Sequence, residues 1–282
     1  MQQKLEPGVN TAMFDGVEPE VAFSTIREAG FRYIELAYNQ GYVGNLDPSL
    51  FGPENAARIL DLLEKYQLQT RALGCTMNLA APDAVAQFTT RIQFATRIGA
   101  TFLNACIGKR EDRQTIIANL RELAPLAADS GCVICIENGG DPNYDVFAVA
   151  EEGMALLEAI NSPAVAFNID PGNTVSLRPE RDAINECIHM LPGARHAHIK
   201  DVLCKEGEFF FPAIGEGVLD YQPLLRELEQ RAIPCSLEIP LRMHRSSDTL
   251  PHRASQPVDP AISLEVLKRS RQQLEALLGY PL

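Results

Sequence analysis

The sequence predicts a (β/α)8 barrel, and three observations carry that expectation. The chain has 282 residues, and one α/β barrel runs at ~250 residues, longer than most single domains. Short apolar runs alternate with helix-patterned stretches eight times. Four of the later runs end in a carboxylate or carry a histidine, at the strand ends where such a barrel keeps its chemistry.

The elements follow in order. Gly8–Met13 is the first β-like run. Val17–Ala29 is the first helix, with Val21, Ile26 and Ala29 as its apolar positions before Gly30, a helix stop. Tyr33–Ala37 is the second strand, and Pro53–Tyr66 the next helix, carrying Ala57, Ile59, Leu60 and Leu63. The strands Gln69–Gly74, Thr101–Cys106, Val133–Glu137 and Ala164–Asp170 come next, followed in turn by helices at Pro82–Ile98, Arg113–Ala128, Val149–Ile160 and Pro179–Met190. His196–Lys200 precedes Tyr221–Arg231, and Cys235–Ile239 precedes Ala261–Leu278. Each strand reads as a continuous apolar run, as buried parallel strands do. Several helices have Pro in the first turn, where it costs little.

Strict alternation suits a closed barrel or an open doubly wound sheet. Eight repeats favour the barrel. An open nucleotide-binding sheet needs a Gly-rich turn after its first strand, and Asn10–Asp15 has none. No linker or compositional break divides the chain, so residues 1–282 are expected to form one domain.

Hydrophobic residues make up 46% and charged residues 22%, a globular profile. No apolar run approaches the ~20 residues that span a bilayer, so no membrane partner is expected. The opening MQQKLEPGVN lacks the apolar core of a secretory leader, which places the expectation in the cytoplasm. A net charge of −12 argues against nucleic acid as a partner. Whether the chain forms a homo-oligomer stays open. The seven cysteines, Cys75, Cys106, Cys132, Cys135, Cys187, Cys204 and Cys235, read as reduced residues, most of them in the core. Cys132 and Cys135 have CxxC spacing, but within a strand residues three apart point to opposite faces.

The polar strand ends carry the chemistry. The fifth run ends in Glu137, the sixth in Asp170 and the eighth in Glu238, while the seventh holds His196 and His198 at like parity. The gaps are each near one βα repeat, so four neighbouring strands offer ligand-type side chains at similar height. Any one such acid alone reads equally well as a helix cap or a lysine partner. Three carboxylates converging together would repel strongly unless a divalent cation joined them. Oxygen ligands with one imidazole suit Mn²⁺, Co²⁺, Mg²⁺ or Zn²⁺, and the sequence does not choose among them.

Ile136-Glu137-Asn138, Asp170-Pro-Gly-Asn173, His196-Ala-His198-Ile-Lys-Asp201, Ile214-Gly-Glu-Gly217 with Leu219-Asp220-Tyr221, and Leu237-Glu238 together resemble the xylose isomerase-like TIM-barrel superfamily. It includes ketose 3-epimerases, hydroxypyruvate isomerases, inosose dehydratases and AP endonucleases. The resemblance spans nearly the whole chain. It implies that Glu137, Asp170, His198 and Glu238 ligate one divalent metal ion, with His198 chosen over His196. It also implies that Glu137 and Glu238 act as acid and base on opposite faces of a carbohydrate substrate, through a cis-enediolate.

The chain departs from the epimerase pattern. Asn173 stands where epimerases carry a histidine, and the loop Asp201–Ile214 offers Lys205 but no arginine. Lys200 instead follows His198 in a His-x-Lys-Asp pattern like that of inosose-dehydratase-like members. The leading expectation is therefore a metal-dependent isomerase or epimerase of a small sugar, sugar phosphate or keto-polyol. A dehydratase is the runner-up, and a non-catalytic sugar-binding barrel the third reading. The AP-endonuclease branch uses many more histidines than the five here.

Lys200, Asn173, Glu35 and His196 are further candidates for substrate contact, while Glu35 reads equally as part of a buried pair inside the barrel, His196 as a satisfied barrel-interior histidine, and Lys200 as an ion-pair partner of Glu137 or Asp170. Asn10 and Asn104 end the first and fourth runs and are candidates for bonding hydroxyls. Gly215 and Gly217 suit a tight turn better than phosphate binding. Phe209–Phe211 reads as packing under a loop or as cover for the substrate. Arg242, His244, Arg245, His252 and Arg253 follow the eighth strand, against the single acid Asp248. That segment reads as a solvated charge run, or as an anion clamp in which Arg242 or Arg245 holds a phosphate or carboxylate.

Overall fold

The computed structural model describes residues 4–282. Residues 1–3, which the readings of the amino terminus and of the domain span include, lie outside the described residues. In chain order the strands are β1 (Gly8–Asn10), β2 (Tyr33–Ala37), β3 (Gln69–Gly74), β4 (Phe102–Ala105), β5 (Val133–Glu137), β6 (Val165–Ile169), β7 (Ala194–Ile199), β8 (Leu203–Lys205), β9 (Glu208–Phe210), β10 (Cys235–Leu237), β11 (Met243–Arg245) and β12 (Pro251–Arg253). β1 to β7 and β10 close into a parallel barrel in the order β1-β10-β7-β6-β5-β4-β3-β2. The expected (β/α)8 TIM barrel is the architecture observed.

The helices are α1 (Pro19–Glu28), α2 (Gln40–Val43), α3 (Pro53–Lys65), α4 (Ala84–Ile98), α5 (Arg113–Asp129), α6 (Ala150–Ile160), α7 (Pro171–Leu177), α8 (Ala183–Met190), α9 (Gln222–Arg231) and α10 (Pro260–Leu278). Neighbours pack α1–α3–α4–α5–α6–α8–α9–α10 and back to α1, forming the outer ring. No helix among the described residues is long and apolar enough to cross a membrane.

Two helix faces differ from the reading of the sequence. α3 buries Ala56, Ile59, Leu62 and Leu63, whereas Leu60 is exposed. α1 buries Ala22, Phe23 and Ile26 and leaves Val21 exposed. In both, the expected stripe was drawn partly on the wrong side of a chemically mixed helix.

Strand ends differ for a local reason. The first run stops at Asn10 because its side chain accepts from Ala12 N at 2.9 Å and turns Thr11–Phe14 into a 3-10 helix. α8 starts at Ala183 because Asp182 caps it through Asn185 N at 3.1 Å.

The barrel interior below the mouth is polar. Asn10 faces Glu35 across β1 and β2 and donates to it at 3.0 Å. His196 Nδ1 lies 3.0 Å from Asn104 Nδ2 and 3.0 Å from Asn168 Oδ1. A barrel core is usually filled by branched aliphatic residues, and here a hydrogen-bonded layer replaces part of it.

A second sheet, unforeseen in the sequence, runs antiparallel in the order β12-β11-β9-β8. The segments after β7 and β10 build it together. β11 contributes Met243, His244 and Arg245 to the wall of the cavity at the barrel mouth.

Candidate active site

Four ligand-type side chains meet at one end of the barrel. Glu137 ends β5, Asp170 follows β6, His198 lies near the end of β7 and Glu238 follows β10. Their ligand atoms all lie within 4.8 Å of one another. His198 Nδ1 is 3.3 Å from Glu137 Oε2, 3.5 Å from Glu238 Oε2 and 3.9 Å from Asp170 Oδ2. The parallel register that pairs Ser236 with His198 and Glu137 with Asn168 brings residues so distant in sequence to one height.

Each ligand is held by a neighbour. Asp170 Oδ1 accepts from Asn173 N at 3.2 Å, capping α7, which leaves Oδ2 for the cluster. Asn138 bonds the Asp170 backbone twice, at 2.7 and 2.8 Å. Glu137 accepts from Asn168 at 3.0 Å and from Asn173 at 2.7 Å. His198 Nε2 lies 3.0 Å from Glu35 Oε1. That contact fixes the ring so that Nδ1 is the nitrogen facing the carboxylates, the arrangement in which a metal-ligating histidine is usually held.

The cluster fits a divalent cation. Asp170 Oδ2 is buried and accepts no hydrogen bond of good geometry, although Lys200 Nζ is 2.5 Å away. Two buried carboxylates, the half-buried Glu238 and one oriented imidazole form a hard, oxygen-rich donor set. A second group, Glu35, His196 and His198, shares His198 with the first and lies fully inside the barrel.

Electrostatics divide the two glutamates. Burial pushes Glu137 up, as do Glu238 and Asp170, and against the pull of His198 it settles at about 7. Burial also acts to raise Glu238, but Lys200 and His198 hold it well below the usual carboxylate value. Glu35 is deeply buried, yet His198 and His196 hold it at about 2. Burial keeps His196 down at about 4 despite the nearby Glu35. One carboxylate that favours its proton beside one that favours its charge is the pattern of an acid–base pair.

Lys200 is 2% exposed and touches Glu238 Oε2 at 2.7 Å and Asn173 Oδ1 at 2.9 Å. Tyr221, expected only as part of a motif and as the first residue of a helix, pins Lys200 through both its backbone N and O at 2.8 Å. Asp201 accepts from Gly215 N and Gly217 N at 2.9 Å. A side chain at Gly217 would overlap the Asp201 carboxylate. Those glycines therefore shape a turn, and their amides are not offered to phosphate.

A cavity of about 410 Å³ opens over the cluster, with Glu137, Glu238, Lys200, Asn173, Phe211 and Arg245 in its wall. That volume suits a small molecule. Phe211 is thus part of the wall, while Phe210 stacks on His244 with centroids 5.4 Å apart.

Three expected contacts fall elsewhere. Arg242 does not line this cavity: its guanidinium is taken by Asp15 and by the carbonyls of Ala254 and Ser255. His196 and Glu35 lie beneath it, within the barrel's polar layer. Asn168 was missed, although its place two residues before Asp170 gave it the same parity.

A family model, xylose isomerase-like TIM barrel, matches residues 23–266. The chain belongs to the xylose isomerase-like TIM-barrel family. An L-ribulose 3-epimerase from Methylomonas sp. (strain DH-1) is 26% identical over 230 residues, 74% of this chain and 73% of the relative. Among solved structures, a D-psicose 3-epimerase from Clostridium cellulolyticum H10, determined with D-tagatose, superposes with a TM-score of 0.76 at 13% identity, over 97% of this chain and 99% of that one. A probable 3-DHS dehydratase from Bacillus anthracis superposes with a TM-score of 0.71 at 16% identity, over 96% and 98%. At such identities the structural likenesses speak for the fold alone.

Proposed function

We propose that this barrel is a divalent-metal-dependent isomerase or epimerase of a small polyhydroxylated carbonyl compound. The observation that carries the reading is the convergence of Glu137, Asp170, His198 and Glu238 in one cluster, two of whose members, Glu137 and Glu238, line the cavity. Membership of the family and the 3-epimerase relative support it. Glu137, Asp170, His198 and Glu238 would hold the ion, which would stabilise negative charge developing on the substrate oxygens.

The protein's own groups then move the proton. Glu238, ionised beside Lys200, removes a proton next to the carbonyl to give an enediolate. Glu137, on the other side of the cluster, returns a proton to the opposite face. Glu35 keeps the His198 ring in place, and Asn173 orients the Glu137 carboxyl. Wall residues such as Phe211 limit water around the intermediate.

A second reading, a dehydratase, draws on Lys200. Its ammonium stands against Glu238, where it would protonate a departing hydroxyl after the same α-proton abstraction. Product analysis after incubation with ketoses and keto-inositols tests both. An epimer or isomer supports the first reading, and an enone or deoxy-dicarbonyl product supports the second. No conversion of any keto-polyol with Mn²⁺, Co²⁺, Mg²⁺ or Zn²⁺ added would remove both.

A further inference from the structure

Two buried cations share one end of the cavity. Lys200 and Arg245 both form its wall and are 2% and 5% exposed. They converge on a single atom, since Asn173 Oδ1 accepts from Lys200 Nζ at 2.9 Å and from Arg245 Nη2 at 2.9 Å. Both also lie over the Phe211 ring, 5.7 and 5.4 Å from its centroid. Like charges this close repel, and burial weakens solvent screening between them.

Their counter-ions differ. Lys200 has Asp170 and Glu238. Arg245 has no carboxylate oxygen of the described residues within 4.0 Å. Asp141, which contributes to its field, accepts from Tyr42 Oη at 3.1 Å and Asn143 N at 2.9 Å instead. Arg242, three residues earlier in the same segment, is by contrast neutralised by Asp15 at 3.2 Å.

The Arg245 guanidinium is nonetheless fixed. Nη1 donates to Ser176 Oγ at 2.7 Å. Ser176 and Asn173 sit one turn apart on α7, so this short helix presents both acceptors together. Gly140 completes the seat, because a side-chain carbon there would overlap both Nη atoms. Two hydrogen bonds do not exhaust the donors of a guanidinium. A buried cation without a counter-ion is costly, and one built into a cavity wall is relieved when an anion enters.

We propose that the substrate carries a carboxylate or phosphate group, and that Arg245 together with Lys200 binds it beside the reacting carbons. This rests on the reading of the cavity as an isomerase or dehydratase site. Planar fork donors match both anions, and the charge-assisted bonds they form are strong enough to set specificity. Lys200 shares its two carboxylates with the candidate metal site, so filling that site would free ammonium donors for the same anion. A neutral ketose would leave Arg245 without a partner.

The test is calorimetric binding to the full chain with Mn²⁺ added, using inorganic phosphate, D-erythronate and the neutral polyol erythritol as probes. At least one anion should bind roughly tenfold or more tightly than erythritol. A preference for erythronate assigns a carboxylate, and a preference for inorganic phosphate assigns a phosphate. Arg245→Lys keeps the charge but loses the fork, and should reduce the preference by roughly tenfold, with circular dichroism and metal content as in wild type. Should that variant fail to fold, the wild-type comparison decides alone. Equal binding of anions and erythritol by the wild type would overturn the proposal, and so would an anion preference that survives intact in Arg245→Lys. Binding is read without turnover. An anion preference in a chain that converts no keto compound would therefore uphold this site while the proposed activity fell.

Discussion

At the scale of residues, chemistry follows from who holds whom. Glu238→Gln keeps size and polarity but cannot take a proton. Its turnover should fall by ~10²–10⁴, the contribution of one general acid–base group, with further loss from the weakened ligand. Steady-state kinetics check this, and near-normal turnover would remove Glu238 from the proton transfer. Glu35 acts through His198 at 3.0 Å. Glu35→Gln should weaken divalent-metal affinity by ~10–100-fold, the usual effect of losing a partner behind a ligand. Competition against a chelating dye reads that affinity, and an unchanged value would reduce Glu35 to filler of the barrel. The four ligand-type residues were legible in the sequence because each closes or nearly closes an apolar run. Arg242 was not. Its partner Asp15 lies 227 residues away in the chain, and local charge patterning carries no trace of so distant a pairing. Arg245 looked the same in sequence and went to the cavity instead.

At the scale of elements, the barrel strands were readable and the mouth was not. The barrel strands, even the three-residue β1 and β10, lie in longer apolar runs that give a pattern to detect, whereas the three-residue strands β8, β9, β11 and β12 lie in none. Their pairing is also non-local, since β9 joins β11 from across a whole βα unit. One signal did exist: Glu206-Gly207 joins β8 to β9 with both residues at positive φ, 54° and 83°, as a tight hairpin turn requires. The same sheet is tied down by Asp15, which accepts from Arg253 at 2.6 and 2.7 Å and from Arg242 at 3.2 Å. Asp15→Asn should loosen β11 and β12 without touching the ligands. We expect faster tryptic cleavage at Arg242–Arg253 and a raised KM, with metal content unchanged. Cleavage at the wild-type rate would show that the clamp does not govern the wall.

At the scale of the whole molecule, closure of the barrel turns a repeating sequence into one site. β10 pairs with both β1 and β7, and β5, β6, β7 and β10 are consecutive staves, so their ends face one space. Strict alternation made that closure legible, but the polar layer beneath the site was only half visible. Asn10, Glu35, Asn104 and His196 stood out as polar strand positions, and for Glu35 and His196 the sequence left pocket contact and a buried place inside the barrel both open. Inside the closed barrel they satisfy one another, and which residues pair is what a linear sequence cannot display. The central claim is that the four strand ends form a single metal centre that powers the chemistry. The most direct measurement is calorimetric titration of chelator-treated protein with Mn²⁺, in wild type and in Asp170→Asn and His198→Ala. The account predicts one ion per chain in the wild type, with turnover of a keto-polyol returning in step with occupancy, and loss of both in the two variants. Sub-stoichiometric binding by the wild type, or full binding by the variants, would contradict it.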